Sequence, residues 1–464
     1  MFLEPQPSLL PEVPETRAHA PATPPALRVG MIGIGTVGAG VWRVLRRNQA
    51  LIAARAGRPI DIVAVAARTP ARAAAVLEGA PGVRLLADPL RLATDPGVDV
   101  VLELAGGSGA ARGWVLAALA HGKHVVTANK ALLAEHGEEL ATAAARHGRT
   151  LAYEAAVAGG VPVVKALREG LAANRIHALA GVLNGTSNYI LTRMQAGGLD
   201  LAAALAEAQA LGYAEADPAL DVDGTDAAHK LALLAANAFG MPVRLDAVHV
   251  EGLRGLRQGD VAAAAQLGYA VRLLAIARRG AEGVELRVHP ALVPARHALA
   301  RLPGAANGLL VQGDAVGDTF YGGAGAGGEP TASAVLADLV DLARLPAGAH
   351  ARAGVPMLGV HGRAAEQPAP LPMAQVRTRH FLRLLPGTAL NEAEALRLLA
   401  RAGLSVQRRA WGPAPEGGAA PTLLLLTAPA PDAVAAHAAA RLRERTGAVV
   451  RRLRVEDFEA TEYA

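Results

Sequence analysis

Four short apolar runs dominate the first third of the chain: Leu27 to Ile34, Ile60 to Ala67, Val98 to Leu104 and Lys123 to Thr127. Between them lie Ala- and Leu-rich stretches with helical spacing near 36–56, 108–121 and 130–147. Strands that alternate with helices call for a parallel sheet, because each crossover must carry the chain back to start the next strand in the same direction. The expected class is α/β, with a Rossmann-type doubly wound sheet over residues 27–152. A chain of 464 residues has room for further units. No apolar run reaches the ~18–20 residues of a membrane-spanning helix, so no membrane partner is expected.

Residues 153–328 mix helical stretches (184–197, 200–212, 226–240) with strand-like runs at Ala178 to Leu183, Ala270 to Ala277 and Val284 to His289, which predicts an α+β domain. Thr331 to Leu345 is again apolar at helical spacing, and a helix over 330–347 is expected to complete the first domain. Residues 348–376 are rich in Pro, Gly and Ala and read as a linker that lets the next unit move independently. Residues 377–464 run strand, helix, strand, strand, helix, strand, which is the ferredoxin-like order. Ahead of everything, residues 1–26 are Pro-rich and aperiodic, so a disordered leader is expected. They carry no targeting pattern, which makes the cytoplasm the expected location.

Composition removes several chemistries. With no cysteine, disulfides, thiolate metal sites and cysteine nucleophiles are excluded. The net charge of +5 comes from scattered basic residues, and aromatics make up only 3%, so there is no basic and aromatic platform for nucleic acid. Of the 46 Lys and Arg residues only four are lysine, namely Lys123, Lys130, Lys165 and Lys230. Where arginine serves as the general surface cation, a retained lysine is a candidate for work that needs a compact ammonium or a transferable proton.

Three constellations carry the chemistry. Gly33-Ile34-Gly35-Thr36-Val37-Gly38 follows an apolar strand and opens a helix, the setting in which glycines let the chain turn and approach a pyrophosphate at a helix N-terminus. The second strand ends on Arg68 with no carboxylate to accept from a ribose 2′-hydroxyl, which favours NADP and leaves NAD as the alternative. As one of many arginines, Arg68 also has a plain surface reading. Next, Lys123 to Lys130 forms a strand ending in Asn129 and Lys130, at the carboxyl edge where ligands bind in open α/β sheets. Finally, Gly212 to Lys230 places Glu215, Asp217, Asp221, Asp223 and Asp226 on a loop leading into a helix. There Asp226 and Lys230, four apart, share one face. A calcium loop and a merely solvated acidic loop are the rival readings, although EF-hand spacing is absent. His229 falls on another face and reads as surface or packing.

As a set, these residues resemble homoserine dehydrogenase. The stretch Gly212 to Lys230 with Ala208 ahead of it, Asn184-Gly185-Thr186-Ser187-Asn188-Tyr189-Ile190-Leu191, and Thr127-Ala128-Asn129-Lys130 are similar to that family's motifs, and the likeness runs from about 28 to 347. It implies NAD(P)H-dependent interconversion of L-aspartate 4-semialdehyde and L-homoserine, in the route to threonine, methionine and isoleucine. Lys230 is then the general acid/base and Lys130 lies beside nicotinamide and substrate. Glu215, Asp221 and Asp226 bind substrate, and Gly33, Gly35, Thr36, Val37, Gly38, Arg68, Gly106, Lys130 and Gly327 face the cofactor. The resemblance also implies a monovalent cation, sodium, at Glu154, Val157, Gly159 and Val161. It makes the middle domain a substrate and dimerisation domain of a homodimer or homotetramer. A fused aspartokinase ahead of it is not expected.

The C-terminal part resembles an ACT regulatory module with an amino-acid effector such as threonine. Its Leu385-Pro386-Gly387-Thr388-Ala389-Leu390 turn lacks the usual acidic residue. Every motif with a chemical reading lies before Gly328, so the C-terminal unit is expected to be dispensable for chemistry. Another NAD(P)-dependent oxidoreductase of this architecture, or a catalytically dead nucleotide-sensing regulator, stays open as an alternative.

Overall fold

The protein is described by a computed structural model over residues 24–78, 80–346, 356–357, 369–385, 391–414 and 421–458. Most of the expected leader, most of the expected linker and the turn at 386–390 lie outside the described residues. The first unit alternates as anticipated: β1 (Leu27–Ile32), α1 (Thr36–Arg47), α2 (Gln49–Ala56), β2 (Ile60–Ala66), α3 (Pro70–Val76), β3 (Arg84–Leu86), α4 (Pro89–Ala93), β4 (Val100–Glu103), α5 (Gly109–Ala120), β5 (His124–Thr127), α6 (Lys130–Arg146) and β6 (Leu151–Ala152). Its strands are parallel, in the order β3-β2-β1-β4-β5-β6. That is the doubly wound arrangement, with a crevice where the order reverses between β1 and β4.

Alternation assigns the two faces. Val29, Met31, Val100 and Leu102 pack on one side with Val41 and Trp42 of α1, whereas Ile32 and Val101 join Val115, Leu119, Leu132 and Leu140 on the other. Helix α13, far along the chain at Gly328–Arg344, packs against α1 and contributes Val335, Leu336 and Leu339 to the first of these cores. The close approach is made at glycine: a Cβ on Gly40 would lie 2.3 Å from the Gly328 carbonyl oxygen.

The second unit contains α7 (Val163–Lys165), β7 (Ile176–Val182), α8 (Gly185–Gly197), α9 (Leu201–Ala210), α10 (Ala219–Val222), α11 (Thr225–Phe239), β8 (His249–Val250), α12 (Gln258–Gln266), β9 (Tyr269–Gly280), β10 (Gly283–Pro294), β11 (Ala306–Gly313) and β12 (Gly317–Ala324). The third contains β13 (Arg377–Leu385), α14 (Glu392–Arg401), β14 (Val406–Gly412), β15 (Thr422–Thr427), β16 (Ala430–Pro431), α15 (Asp432–Thr446) and β17 (Val449–Val455). Its main strands lie in the ferredoxin-like order β17-β13-β15-β14. Among the described residues no helix is long and apolar enough to cross a membrane.

The sequence suggested that this last unit moves independently, and the structure corrects that expectation. β17 pairs with β10, so that one sheet of 11 strands, β12-β11-β7-β9-β10-β17-β13-β15-β14 with β8 and β16 attached, runs through both units. Residues 369–371 of the expected linker lie along the start of β10, where Val284 donates to the Ala369 carbonyl and accepts from the Leu371 amide. Phe381, Leu424, Leu426 and Val455 belong to the same core as the helices of the second unit. Ion pairs complete the joint. Arg287, fully buried on β10, reaches Glu456 at 2.5 Å and Glu285 at 3.0 Å, and Arg383 on β13 meets Asp260 of α12 at 2.9 Å. The pairs Arg287–Glu456 and Arg383–Asp260 join residues some 120 to 170 positions apart and leave no periodic trace, and the Pro/Gly-rich stretch between them looked like free chain.

Breaking a buried pair from one side leaves an uncompensated charge and costs ~3–5 kcal/mol. Arg287→Met is therefore expected to lower the denaturation midpoint strongly, and Arg287→Met with Glu456→Leu to recover much of the loss. A chain ending at Pro372 is expected to lose stability as well as its third unit. A soluble truncated protein with full turnover and an unchanged midpoint would show that the joint is superficial.

Candidate active site

The glycine turn is built for close approach. Gly33 has φ +94°, and a Cβ there would lie 2.8 Å from the Leu104 carbonyl oxygen and the Ala105 nitrogen; one on Gly38 would lie 2.4 Å from the Gly33 oxygen. A Cβ on Gly35 would meet nothing within 4 Å, so this glycine faces open space. Helix α1 has Gly35 as its N-cap and no side-chain cap, and its first amides, from Thr36 and Val37 onward, are left for a ligand. These residues fit a pyrophosphate. Arg68 is exposed and lies two residues beyond β2, whose last residue Ala66 accepts from the Gly33 amide at 2.9 Å.

Buried Glu103 at the end of β4 holds the opposite wall. It accepts from the amides of Ala105 (3.0 Å) and Gly106 (3.2 Å) and from the Thr127 hydroxyl at 2.7 Å. Thr127 in turn accepts from the Asn129 amide, and the Asn129 side chain donates to the Gly107 carbonyl while capping α6 through Leu132. Lys130 is thereby fixed at the first turn of α6, facing the crevice between the units.

Across the crevice stands a charged cluster. The Lys230 ammonium donates to Asp226 at 2.7 Å and to the Leu183 carbonyl at 2.6 Å, and Lys130 lies 3.1 Å from the other Asp226 oxygen. The Asn184 amide donates to both Asp221 (2.7 Å) and Asp226 (2.8 Å), and its side-chain oxygen caps α8. Burial alone would raise the Asp226 carboxyl, but the ammoniums of Lys230 and Lys130, with the hydrogen bonds from Lys230 and Asn184, outweigh it and hold the group below the ordinary carboxylate range. One carboxylate thus faces two cations, with the second carboxylate, Asp221, linked to it through the Asn184 amide.

The other acidic residues separate. Glu215 is exposed on its loop, Asp217 bonds the Ala219 amide, and Asp223 pairs with Arg254 on the surface. His229 is half-buried beside Lys130, and its pKa is lowered by burial first and by Lys130 next.

Gly327, with φ +122°, caps α13 at the seam between the units. A Cβ on Gly328 would lie 3.0 Å from the Thr36 oxygen, one on Gly159 would lie 2.7 Å from the Gly325 oxygen, and one on Gly325 would overlap the Asn307 amide. Asn307 donates to the same Leu183 carbonyl that receives Lys230, so the seam and the lysine share an anchor. Sequence reading missed Asn307 and gave Asn184 no role. Asn184 stood inside a quoted motif, whereas Asn307 had no local signal.

In the loop 154–161, Ala158 and Gly159 are left-handed in succession. The Glu154 carboxyl is buried, accepts from the Val164 and Lys165 amides at 3.0 and 2.6 Å, and is pushed up to about 7 by burial and then by Asp338. Both its oxygens are engaged, so a cation here would rely on main-chain carbonyls, a donor set that suits a hard monovalent ion. Lys165, whose ammonium lies 3.4 Å from Asp338 and contacts Asp341, ties α7 to α13.

A carboxylate with a depressed pKa stabilises the fold above its unfolded value of about 4, and that contribution fades as pH falls toward the lower folded value. Asp226→Asn should accordingly lower the thermal midpoint most near neutrality, with the gap to wild type narrowing below about pH 4. A gap constant with pH would assign the effect to packing.

Comparison with known proteins agrees with this geometry. A homoserine dehydrogenase family model matches residues 162–340, and the model of that enzyme's NAD-binding domain matches 33–154. The chain is 45% identical over 385 residues to homoserine dehydrogenase of Pseudomonas aeruginosa, covering 82% of this chain and 87% of that one, and 44% identical to that of Neisseria gonorrhoeae over the same shares. The crystal structure of a homoserine dehydrogenase from Thiobacillus denitrificans superposes with a TM-score of 0.87 at 46% identity, covering 94% of this chain and 99% of that one. A nicotinamide crevice facing a lysine-carboxylate cluster, matched over most of the chain at this identity, places the protein in the homoserine dehydrogenase family.

Proposed function

We propose that the protein catalyses the reversible NADPH-dependent reduction of L-aspartate 4-semialdehyde to L-homoserine. The observation that carries this reading is the Asp226 carboxylate holding Lys230 and Lys130 together opposite the glycine turn. A bound nicotinamide supplies the hydride that reduces the aldehyde carbon. Lys230, already oriented by Asp226 and Leu183, keeps a third N–H with which to give a proton to the developing alkoxide. Lys130 adds positive charge at the same oxygen. Glu215 binds the amino end of the substrate and Asp226 its hydroxyl end, with Asp221 also contacting it, and Gly106 and Gly327 border the cofactor. Arg68 meets the 2′-phosphate of NADP, which makes NAD the weaker cofactor.

The same reading assigns a monovalent cation, sodium, to the carbonyls around Glu154, Val157, Gly159 and Val161. It makes the protein a cytoplasmic homodimer or homotetramer and gives the C-terminal unit an ACT-like role with an effector such as threonine. A different NAD(P)-dependent reaction is the second reading, and following reduced-nicotinamide absorbance with aspartate semialdehyde separates the two. Folded protein with no turnover overturns the proposal.

Lys230→Arg keeps the charge but cannot release a proton at neutral pH, so kcat is expected to fall by ~10² to 10⁴-fold with cofactor affinity retained. A loss under about tenfold would hand the proton to water or Lys130. Arg68→Ala is expected to raise the KM for NADPH by about tenfold, the equivalent of ~1.4 kcal/mol, and to leave that for NADH nearly unchanged. Equal effects on both would return Arg68 to the solvated surface.

A further inference from the structure

The chain segment that supports the substrate cluster from behind is itself held by the C-terminal unit. Asp221 and Asp226 flank an elbow: α10 ends at Val222, Gly224 turns with φ +85°, and α11 begins at Thr225. The segment Val250 to Arg254, just after β8, packs directly against this elbow. A Cβ on Gly252 would lie 2.5 Å from the Val222 oxygen and 2.6 Å from the Asp223 Cα, and one on Gly224 would lie 3.1 Å from Val250 and 3.3 Å from Val288. The Leu253 amide donates to the Val222 carbonyl at 2.8 Å, and the Glu251 amide donates to Val288 on β10. With backbone against backbone at these distances, a shift of the segment must move the elbow.

Glu251 fixes where that segment sits. Its two oxygens accept a bidentate pair from Arg454 of β17 at 2.8 and 2.9 Å, and His249 lies 2.8 Å from one of them. Arg454 is 3% exposed and also donates to Asp432 of α15 at 2.8 Å, which Arg452 meets as well. His289, buried on β10, faces the same guanidinium and is held well below its usual pKa by burial and then by Arg454 and Arg287, so it adds no charge. The other tie to the elbow, Arg254 to Asp223, comes from an arginine whose side chain is largely exposed, unlike that of Arg454, and contributes little. A planar bidentate contact from a buried arginine is the stiffer of the two.

We infer that Arg454 and Glu251 are positioning residues for the reaction: through the elbow at Val222 to Gly224, the C-terminal unit sets the placement of Asp221 and Asp226. The inference rests on the reading of those carboxylates as the substrate cluster. It assigns the third unit a part in building the site, contrary to its expected dispensability.

The test measures homoserine oxidation by the full-length protein carrying Glu251→Gln, Arg454→Met, Arg454→Lys or Asp226→Asn, with kcat and KM determined for substrate and for cofactor separately. Glu251→Gln and Arg454→Met are expected to lower kcat/KM for homoserine by about tenfold while the KM for NADP stays within twofold, since the glycine turn lies in another unit. The double variant should lose no more than the worse single one, and Arg454→Lys should recover part of the loss. If Arg454→Met does not fold, the milder Glu251→Gln decides. Kinetics within twofold of wild type in folded Glu251→Gln, with Asp226→Asn impaired, overturn the inference and leave the site reading standing. Equal losses for homoserine and NADP also overturn it, as general loosening. An unimpaired Asp226→Asn removes the site reading itself and the inference with it.

Discussion

Two ammonium groups from different units meet at one carboxylate. Lys130 comes from the first turn of α6 in the dinucleotide-binding unit and Lys230 from α11 in the second unit, and without Asp226 their two positive charges would face each other unbalanced. With it, the two units are joined across the crevice through a single carboxylate. Asn184 extends the grip to the start of α8, and the Leu183 carbonyl next to it holds both Lys230 and Asn307. The arrangement of the surrounding helices is therefore a condition for the charge cluster, and the cluster is a condition for keeping those helices in register.

Around this point, the close contacts are made where side chains are smallest. Gly40, Gly159, Gly325 and Gly328 allow α1, the loop after β6 and the start of α13 to touch through main-chain atoms. Such contacts transmit position without compliance, which is what a hydride transfer between two separately folded surfaces requires.

Much of this was legible in the chain. The doubly wound unit announced itself through the spacing of its apolar runs, and Lys130 and Lys230 stood out because a chain so strongly biased to arginine had kept them. Features without a local signature were not legible. β3 has three residues and little burial, and β6 only two, so neither forms a run. β11 and β12 carry Gly308, Gly313, Gly317, Gly322 and Gly323, which interrupt any apolar alternation, so no strand was legible there although they form a register-perfect antiparallel pair. Burial of Arg287 and Arg454 ran against the reading of arginine as a surface residue, because beyond Glu285, two residues away on the same strand, their carboxylates come from Glu456 and from Glu251 and Asp432, which no spacing rule connects.

The position of β17 bears on how the chain acquires its structure during synthesis. Last in sequence among the described strands, it lies in the interior of the long sheet, between β10 and β13. While the protein emerges from the ribosome, β8 can cover the stretch of β10 at Arg287 and Val288, but the edge at Ala291 and Leu292 must wait for residues 454 and 455. Until then a nascent chain with both preceding units already formed presents an open strand edge and a buried-type arginine with only Glu285 of its two partners, the kind of surface on which chaperones act and misassembly begins.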